Sequence, residues 1–400
     1  MKRVILERLI CEQAGLSQLR RPDIEKLQLQ RLNDVLRRQR ERQAFYVDLP
    51  PSLSSLSGLA GLPFTTPAQL AERGHAMVLL SQSAVSRVIT EQTSGTTGPA
   101  KRVYYTQGDC KRTVDFFAAG LAELIGPGER TVIAMPFSGP NGLGDLIAQA
   151  IERLGAEPIR AGLGLTFGEY AALLGDDGVH TFVGLPVQLL SILRAGGGRQ
   201  LRRALVSGDV CSPAVQAAIE AYGITLFPHY GSREIGLGGA VTCQAQAGMH
   251  VRENHVIVEI IGPDGAVLPP GQWGELVVTT IGMEAMPLIR YRTGDWTRIL
   301  PGICPCGSEL LRLDRVSRAD RCLEELDEVL FPLQHLVDYK LRLSADAVEV
   351  AALVTTDMRT ALSNRLQQLF PDRILHLSQK ICSPEDRCLY ARKRSLYVNL

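Results

Sequence analysis

The chain has 400 residues, of which 43 are Lys or Arg and 42 are Asp or Glu. This length exceeds what one hydrophobic core usually holds, and the balanced charge gives no reason to expect a nucleic acid or a membrane as a partner. No apolar stretch is long enough to cross a bilayer, and residues 1–9 lack the continuous apolar core of a signal peptide. We therefore expect a cytoplasmic protein with more than one domain, whose nine cysteines are reduced thiols or metal ligands.

The N-terminal part predicts helices followed by a linker. Leucines and charged residues recur at helical spacing over residues 23–42, which indicates an amphipathic helix within a helical segment of residues 1–50. Residues 48–66 are rich in Pro, Ser and Gly and are typical of a linker that wraps the surface.

Residues 91–101, with the sequence EQTSGTTGPAK, are the most informative segment of the chain. Glycines let the backbone approach an anion closely, and hydroxyl and N–H groups donate hydrogen bonds to its oxygens. The segment differs from a Walker A loop, because Ala100 precedes Lys101 and Arg102 follows it. The pattern predicts a loop that wraps a polyphosphate, and a plain surface turn is the alternative.

Beyond this loop, strand-like and helix-like apolar runs alternate. Residues 131–135 and 181–184 are typical of buried strands, and residues 143–154 and 187–193 are typical of helices. The alternation predicts an α/β core, residues 60–245, built on a parallel sheet with crossover helices.

The last third of the chain has two different patterns. Short β-rich runs at residues 255–261 and 275–280 predict an antiparallel sheet or small barrel within residues 248–318. Residues 319–400 mix short helices and strands, which predicts a small α+β domain.

Three short motifs follow the phosphate loop in order: YGSRE at residues 230–234, YRTGD at residues 291–295 and SRAD at residues 317–320. Together the four segments resemble the adenylate-forming, AMP-binding enzyme superfamily. The similarity is greatest to its phenylacetate-CoA ligase-like branch, on the segments GMHV at 248–251, GELVVTT at 274–280 and AMPLIRY at 285–291. The resemblance implies an α/β adenylate-forming fold, with a large AMP-binding domain at residues 1–318 and a small C-terminal α+β lid domain at residues 319–400.

The resemblance also implies an activity, that of an ATP-dependent acid–CoA ligase. Such enzymes join a carboxylic acid to the α-phosphate of ATP, releasing pyrophosphate, and coenzyme A then displaces AMP to give a thioester. The side chains and backbone that would hold the departing phosphates are those of Thr93, Ser94, Gly95, Thr96, Thr97, Gly98 and Lys101.

Further residues match the family's nucleotide and magnesium positions. Glu234 is the candidate Mg²⁺ ligand, and Arg233 stands where the family usually has a threonine that bonds the α-phosphate. Asp295 and Arg318 would bind the ribose hydroxyls. The residues that would enclose adenine are Tyr230, which would stack on the base, its neighbours Gly231 and Ser232, and Ser207, Gly208 and Asp209 on the other side.

The C-terminal part departs from the family. Residues 321–328 are acidic where relatives are basic and contain glycine. Asp320 would be the hinge of the lid domain, and Lys393 is the candidate for the catalytic lysine. Because Arg392 stands where glycine is expected, a basic tail exposed to solvent is an equal alternative for Lys393.

Two cysteines close in sequence suggest a zinc site. Cys304 and Cys306, together with Cys243 and His250, can supply four tetrahedral zinc ligands, and the phenylacetate-CoA ligase branch has similar positions. The alternative is a set of thiols without a common centre. Four protein ligands would leave no open position, so the sequence predicts a structural zinc.

The acyl substrate is the least determined part of the prediction. Residues 136–144 correspond to a stretch that lies near an aryl substrate in related ligases, so Phe137 and Asn141 are the candidate contacts for a small aryl or short acyl carboxylate. An adenylate-forming enzyme with an acceptor other than CoA, and a nucleotide-binding protein without turnover, are the alternative functions. A homodimer is an open alternative to a monomer.

Overall fold

The computed structural model describes residues 3–91, 100–318, 321–344, 346–390 and 394. Their contacts divide the chain into two compact units. Unit 1 contains the described residues up to 123 and residues 228–318, and unit 2 contains residues 124–227 and the described residues from 321 onward. Among the helices of these residues, none has both the length and the apolar character needed to cross a membrane.

Three of the helices in the described residues begin at a threonine cap. Thr66, Thr106 and Thr166 each accept a hydrogen bond from the backbone N–H three residues later, and the side chain of that residue bonds back to the threonine backbone. In chain order the helices are α1 (Ile5–Ala14), α2 (Arg21–Glu41), α3 (Pro67–Arg73), α4 (Gln107–Leu121), α5 (Leu143–Arg153), α6 (Phe167–Gly175), α7 (Pro186–Arg194), α8 (Pro213–Glu220), α9 (Cys322–Leu330) and α10 (Arg359–Leu369).

The strands are rich in β-branched residues, as in Val256–Ile261, where all six residues are buried. They are β1 (Arg87–Glu91), β2 (Lys101–Tyr105), β3 (Arg130–Ala134), β4 (Glu157–Arg160), β5 (Val179–Gly184), β6 (Arg203–Val206), β7 (Thr225–Tyr230), β8 (Ala240–Thr242), β9 (Met249–Val251), β10 (Val256–Ile261), β11 (Gly274–Thr280), β12 (Tyr291–Thr297), β13 (Arg312–Leu313), β14 (Ser317–Arg318), β15 (Leu336–Leu343), β16 (Ala347–Val354) and β17 (Ile374–Ile381).

Unit 1 is built on antiparallel pairing. Strands β10, β11, β12 and β14 form one sheet, β1 pairs with β2, and β13, β9 and β8 continue to the last residues of β7. Helix α2 packs its apolar face on this unit through Leu32, Val35 and Leu36, which share a buried cluster with Ile257 and Ile289.

Unit 2 contains the parallel sheet. Strands β6, β5, β3 and β4 pair in parallel, which requires the crossover helices that the sequence pattern predicts. In a second sheet, β16 pairs antiparallel with β15 and parallel with β17. Side chains from both sheets, such as Val132, Phe182 and Val350, belong to one buried hydrophobic cluster with Leu326 of helix α9.

The fold class predicted from the sequence is confirmed by this architecture. Helix α2 occupies the predicted amphipathic segment, and the parallel and antiparallel sheets lie in the predicted parts of the chain. The described residues beyond 320 form the predicted α+β segment and share a core with residues 124–227. The division at residue 318 into a large domain and a mobile lid stays a prediction, because the hinge residue Asp320 lies outside the described residues.

Candidate nucleotide and metal sites

In unit 1, the half-buried Lys101 forms an ion pair with the buried Glu234. Lys101 is the first residue of β2, and its Nζ lies 2.9 Å from Glu234 Oε1. The Tyr291 hydroxyl, from the start of β12, donates to the same oxygen at 3.2 Å. Burial raises the pKa of the Glu234 carboxyl, but the Lys101 ammonium and hydrogen bonds from Lys101, Ser232 and the backbone together lower it more, so its pKa lies below its ordinary value. Glu234 is therefore an ionised carboxylate at neutral pH, which is the ligand that Mg²⁺ prefers.

The second pair in unit 1 joins Tyr230 and Asp295. The Tyr230 hydroxyl, at the end of β7, donates to Asp295 Oδ2 at 2.8 Å. Burial raises the pKa of Tyr230 well above its ordinary value, and the neighbouring Asp295 raises it further, so the phenol stays a proton donor. Asp295 in β12 is the register partner of Arg318 in β14, so the two candidate ribose ligands are adjacent across one antiparallel pair.

The turn that connects these pairs depends on Gly231. A Cβ atom on this residue would lie 2.0 Å from the backbone oxygen of Leu237, which no side chain permits. The N–H of Leu237 donates to the carbonyl oxygen of Ser232 at 2.8 Å and so closes the turn. The half-buried Arg233 lies within it, and its carbonyl oxygen accepts a hydrogen bond from the Tyr105 hydroxyl. The packing of this turn therefore requires glycine at position 231.

The four predicted zinc ligands also lie together in unit 1. Cys243 follows β8, His250 is in β9, and Cys304 and Cys306 belong to one tight turn closed by the Gly307 N–H bond to the Cys304 carbonyl at 2.7 Å. Their ligand atoms all lie within 4.8 Å of one another, and all four residues are buried. Cys243 Sγ is 3.8 Å from Cys304 Sγ, and Cys306 Sγ is 3.6 Å from His250 Nε2.

These distances fit a tetrahedral zinc ion. Zinc–sulfur bonds of about 2.3 Å give a tetrahedron with an edge of about 3.8 Å. Burial lowers the pKa of His250 to about 4, so its imidazole is neutral and can offer a lone pair to a metal. Burial also raises the pKa of Cys243, which without a cation would favour the thiol. A metal cation would reverse that preference, because it stabilises the thiolate.

Of the predicted site residues that the structure describes, five belong to unit 2. Gly208 has a φ of 84°, a left-handed conformation that glycine adopts without strain. The neighbouring Ser207 donates its N–H to the Gly184 carbonyl at 3.1 Å. Phe137 is exposed, and Asn141, with a φ of 58°, donates its N–H to Asp145 Oδ2 at 2.8 Å.

The fifth of these residues, Asp209, is not a free nucleotide-facing carboxylate. Its side chain is 3% exposed, and its Oδ2 lies 2.9 Å from Arg394 Nε. The same guanidinium binds Asp327 in α9 through Nη1 at 2.6 Å and Nη2 at 2.8 Å. Tyr339 in β15 donates to Asp327 Oδ1 at 2.7 Å. Arg394 therefore joins the loop after β6 to helix α9 in the interior of unit 2.

Several predicted residues lie outside the described part of the chain, and their roles stay predictions. They are Thr93, Ser94, Gly95, Thr96, Thr97 and Gly98 of the phosphate loop, Asp320 of the hinge and Lys393. The sequence did not predict the contacts that Tyr105, Tyr291 and Arg394 make with site residues. Tyr291 could have been found, because it lies four residues before Asp295 and strand residues at even spacing share a face.

The family model and the relatives that match this chain in sequence belong to the same group of enzymes. Residues 91–285 match the family model of the AMP-binding enzymes. The chain is 31% identical over 345 residues to the phenylacetate-coenzyme A ligase of Escherichia coli (strain K12), and the match covers 78% of this chain and 77% of that protein. It is 33% identical over 336 residues to the phenylacetate-coenzyme A ligase of Aromatoleum evansii, with 78% and 74% covered.

A solved structure with a similar fold is that of 2-hydroxyisobutyryl-CoA ligase in the postadenylation state in complex with R3-HIB-AMP. The TM-score is 0.76 at 19% identity, and the match covers 94% of this chain and 89% of that one. At this identity the likeness establishes a common fold.

Proposed function

This chain belongs to the phenylacetate-CoA ligase branch of the AMP-binding enzymes, and we propose that it joins a small carboxylic acid to coenzyme A through an acyl adenylate. In the first step a carboxylate oxygen of the acid attacks the α-phosphorus of ATP, and pyrophosphate leaves. In the second step the CoA sulfur attacks the acyl carbon, its proton is lost, and AMP leaves with the electron pair of the broken C–O bond. The observation that carries the proposal is the pairing of Lys101 with Glu234 at the family's motif positions.

In the first step, Lys101 and Glu234 would stabilise the negative charge of the ATP phosphates, Lys101 directly and Glu234 through Mg²⁺. The Lys101 ammonium would bind phosphate oxygens, together with the loop of residues 93–98. Glu234 would hold Mg²⁺, because it is ionised and hydrogen-bonded in a fixed position by Tyr291. A bound magnesium ion would neutralise phosphate charge as pyrophosphate departs.

The nucleoside would be held by the second pair. Asp295 has two acceptor oxygens for the ribose hydroxyls, and Tyr230 already orients one of them. Arg318, its register partner, would donate from the neighbouring strand. Arg233 would contact the α-phosphate in place of the threonine found in relatives, and Lys393 would bring a further positive charge to it.

The proposed zinc ion would stabilise the fold of unit 1. Cys243, His250, Cys304 and Cys306 would hold one Zn²⁺ with no open position, so the ion would tie the turn after β12 to strands β8 and β9. None of the nine cysteines, all of which lie in the described residues, forms a disulfide, which supports a reducing, cytoplasmic location.

An aryl or short acyl group is proposed for the substrate, with Phe137 and Asn141 in contact with it. The support is that relatives of this chain are phenylacetate-coenzyme A ligases and that the Phe137 ring in unit 2 is exposed.

The test is pyrophosphate release with Mg-ATP and a panel of aryl and short acyl carboxylates, with and without coenzyme A. We expect release that depends on the acid, and a thioester together with AMP when coenzyme A is present. Pyrophosphate release without any thioester product would indicate that the acceptor is not CoA. Nucleotide binding without turnover over the whole panel would contradict the ligase proposal.

A further inference from the structure

Unit 1 contains a cavity of about 470 Å³ between helices α2 and α4 that the proposed ligase chemistry does not use. We call it the α2–α4 cavity. Four basic side chains line it: Arg31 and Arg38 from α2, and Lys111 and Arg112 from α4. Gly282, which follows β11, forms part of the wall.

The acidic residues nearby neutralise only part of this charge. Arg112 is paired, with Nη2 2.8 Å from Asp109 Oδ1 and Nη1 2.8 Å from Glu284 Oε1. Asp34 also lines the cavity, but its carboxylate pairs with Arg37 at 2.8 Å, and Arg37 is outside the lining. Asp115 is the second acidic residue of the lining.

The other cations of the lining interact with carboxylates only at longer range within the described residues: Arg38 with Glu284, Asp109 and Asp34, and Arg31 with Asp34. Arg31 donates through Nη1 to the backbone oxygen of Asn254, and Arg38 donates through Nη2 to the backbone oxygen of Glu284 at 2.7 Å. Within the described residues, neither guanidinium has a carboxylate at ion-pair distance, and the exposed Lys111 has none either. A backbone carbonyl positions a guanidinium but leaves its net charge in place.

A fifth cation, Arg252, is buried next to the lining residue Arg112. Arg252 is 1% exposed, and its Nη2 donates to the backbone oxygen of Arg112 at 2.7 Å. Its Nε and Nη1 are buried and have no hydrogen-bond partner among the residues that the structure describes. Burial lowers the pKa of Arg252 to about 9, and the Arg112 charge contributes to the shift. The group still carries its charge at neutral pH.

Like charges so close together repel one another, and burial increases the cost. Burial lowers the pKa of Arg31, and the Arg112 charge lowers it further. An anion in the cavity would relieve this repulsion. Guanidinium groups bind phosphate oxygens through paired N–H donors, and the volume is typical of a small-molecule site.

We propose that the α2–α4 cavity binds a phosphate-bearing anion, at a site separate from Lys101, Glu234 and Asp295. Two sources share this chemistry. One is free inorganic phosphate, and the other is the nucleotide end of coenzyme A, which carries a 3′-phosphate and a 5′-diphosphate. Only the second source rests on the proposed ligase function.

The test is isothermal titration calorimetry of the full chain at low salt with two probes, inorganic phosphate and adenosine 3′,5′-bisphosphate. We expect the double variant Arg31→Gln/Arg38→Gln to raise the Kd of the probe that binds by about tenfold or more, because two charged hydrogen-bond donors are lost. Lys111→Gln should raise it several-fold. Arg40→Gln is the matched control, because Arg40 lies on the same helix at an exposed position outside the lining, and the Kd of the probe should not change.

Two further measurements separate this site from the nucleotide site. ATP binding should be unchanged in the double variant, and binding of the bisphosphate should be unchanged in Asp295→Ala. If the bisphosphate binds and phosphate does not, the ligand is the CoA nucleotide. If both bind with similar affinity, the ligand is the free ion.

The proposal is overturned if neither probe binds, or if binding is the same in the double variant as in Arg40→Gln. Circular dichroism checks that the double variant is folded. If the double variant is unfolded, the Kd of the surface variant Lys111→Gln tests the proposal instead. The Lys111 side chain has no partner in the described structure, so its replacement should not disturb the fold. An inactive ligase with intact probe binding would refute the proposed function and leave this site standing.

Discussion

Lys101 and Glu234 are 133 residues apart in sequence, and their side chains meet at 2.9 Å in the interior of unit 1. The side chains are 17% and 9% exposed, so the attraction between them is little screened by water. Such a pair holds each group in place for a highly charged ligand, and the first prediction concerns it.

Glu234→Gln should reduce the rate of acyl-adenylate formation by about 10²–10³-fold, because the amide keeps the shape of the side chain but loses the charge that would hold Mg²⁺. The measurement is pyrophosphate release over a range of Mg²⁺ concentrations. Glu72→Gln, at an exposed position of the same unit, is the control. Unchanged rate and Mg²⁺ dependence in Glu234→Gln would exclude Glu234 as the metal ligand.

Asp295→Ala should weaken ATP binding about tenfold or more, because it removes a charged acceptor and deprives the buried Tyr230 hydroxyl of its carboxylate partner. The Kd for ATP in calorimetry is the readout. Asp48→Ala, an exposed acid in the same unit, should bind ATP like the original chain. A normal Kd in Asp295→Ala would mean that this carboxylate serves the fold and not the ribose.

Cys304→Ser should remove about one zinc per chain and lower the Tm, because a structural ion with four protein ligands contributes directly to folding. Metal analysis and thermal unfolding are the measurements. Cys382→Ser removes a thiol outside the cluster and should change neither. A purified protein without zinc, together with an unchanged Tm in Cys304→Ser, would leave the four residues as ordinary buried side chains.

Lys393→Ala should slow adenylation by about 10²-fold and affect thioester formation much less, because its charge would act on the α-phosphate only in the first step. Pre-formed acyl adenylate plus coenzyme A isolates the second step. Lys380→Ala, an exposed lysine that pairs with Asp386, is the control. Equal slowing of both steps would contradict the assignment.

Arg394→Leu should lower the free energy of unfolding by about 3–5 kcal/mol, because it leaves Asp209 and Asp327 buried without their counter-ion. Urea denaturation measures the change. Arg365→Leu on the exposed face of α10 makes the same chemical change away from any partner and should cost little. A difference of less than about 1 kcal/mol between the two variants would show that the Arg394 network contributes little to stability.

Much of the fold could be predicted because its signals are local. The period of the leucines in α2, the apolar runs of strands β3 and β5, and the helix-like runs of α5 and α7 are each contained in a few consecutive residues. The motifs at residues 230–234 and 291–295 are also short, so family and candidate ligands could be named before any contact was known. The same holds for the cysteine pair at 304 and 306.

The tertiary structure decided which of these groups are partners. Burial leaves a charged or polar side chain no solvent to bond, so it must find a partner wherever the fold brings one, and sequence distance does not limit that choice. Asp209 could be expected to face a nucleotide, yet Arg394, 185 residues away, occupies its carboxylate. Likewise, the basic residues of α2 and α4 belong to unremarkable amphipathic helices in the sequence, and only the packing of those helices gathers their charge in one cavity.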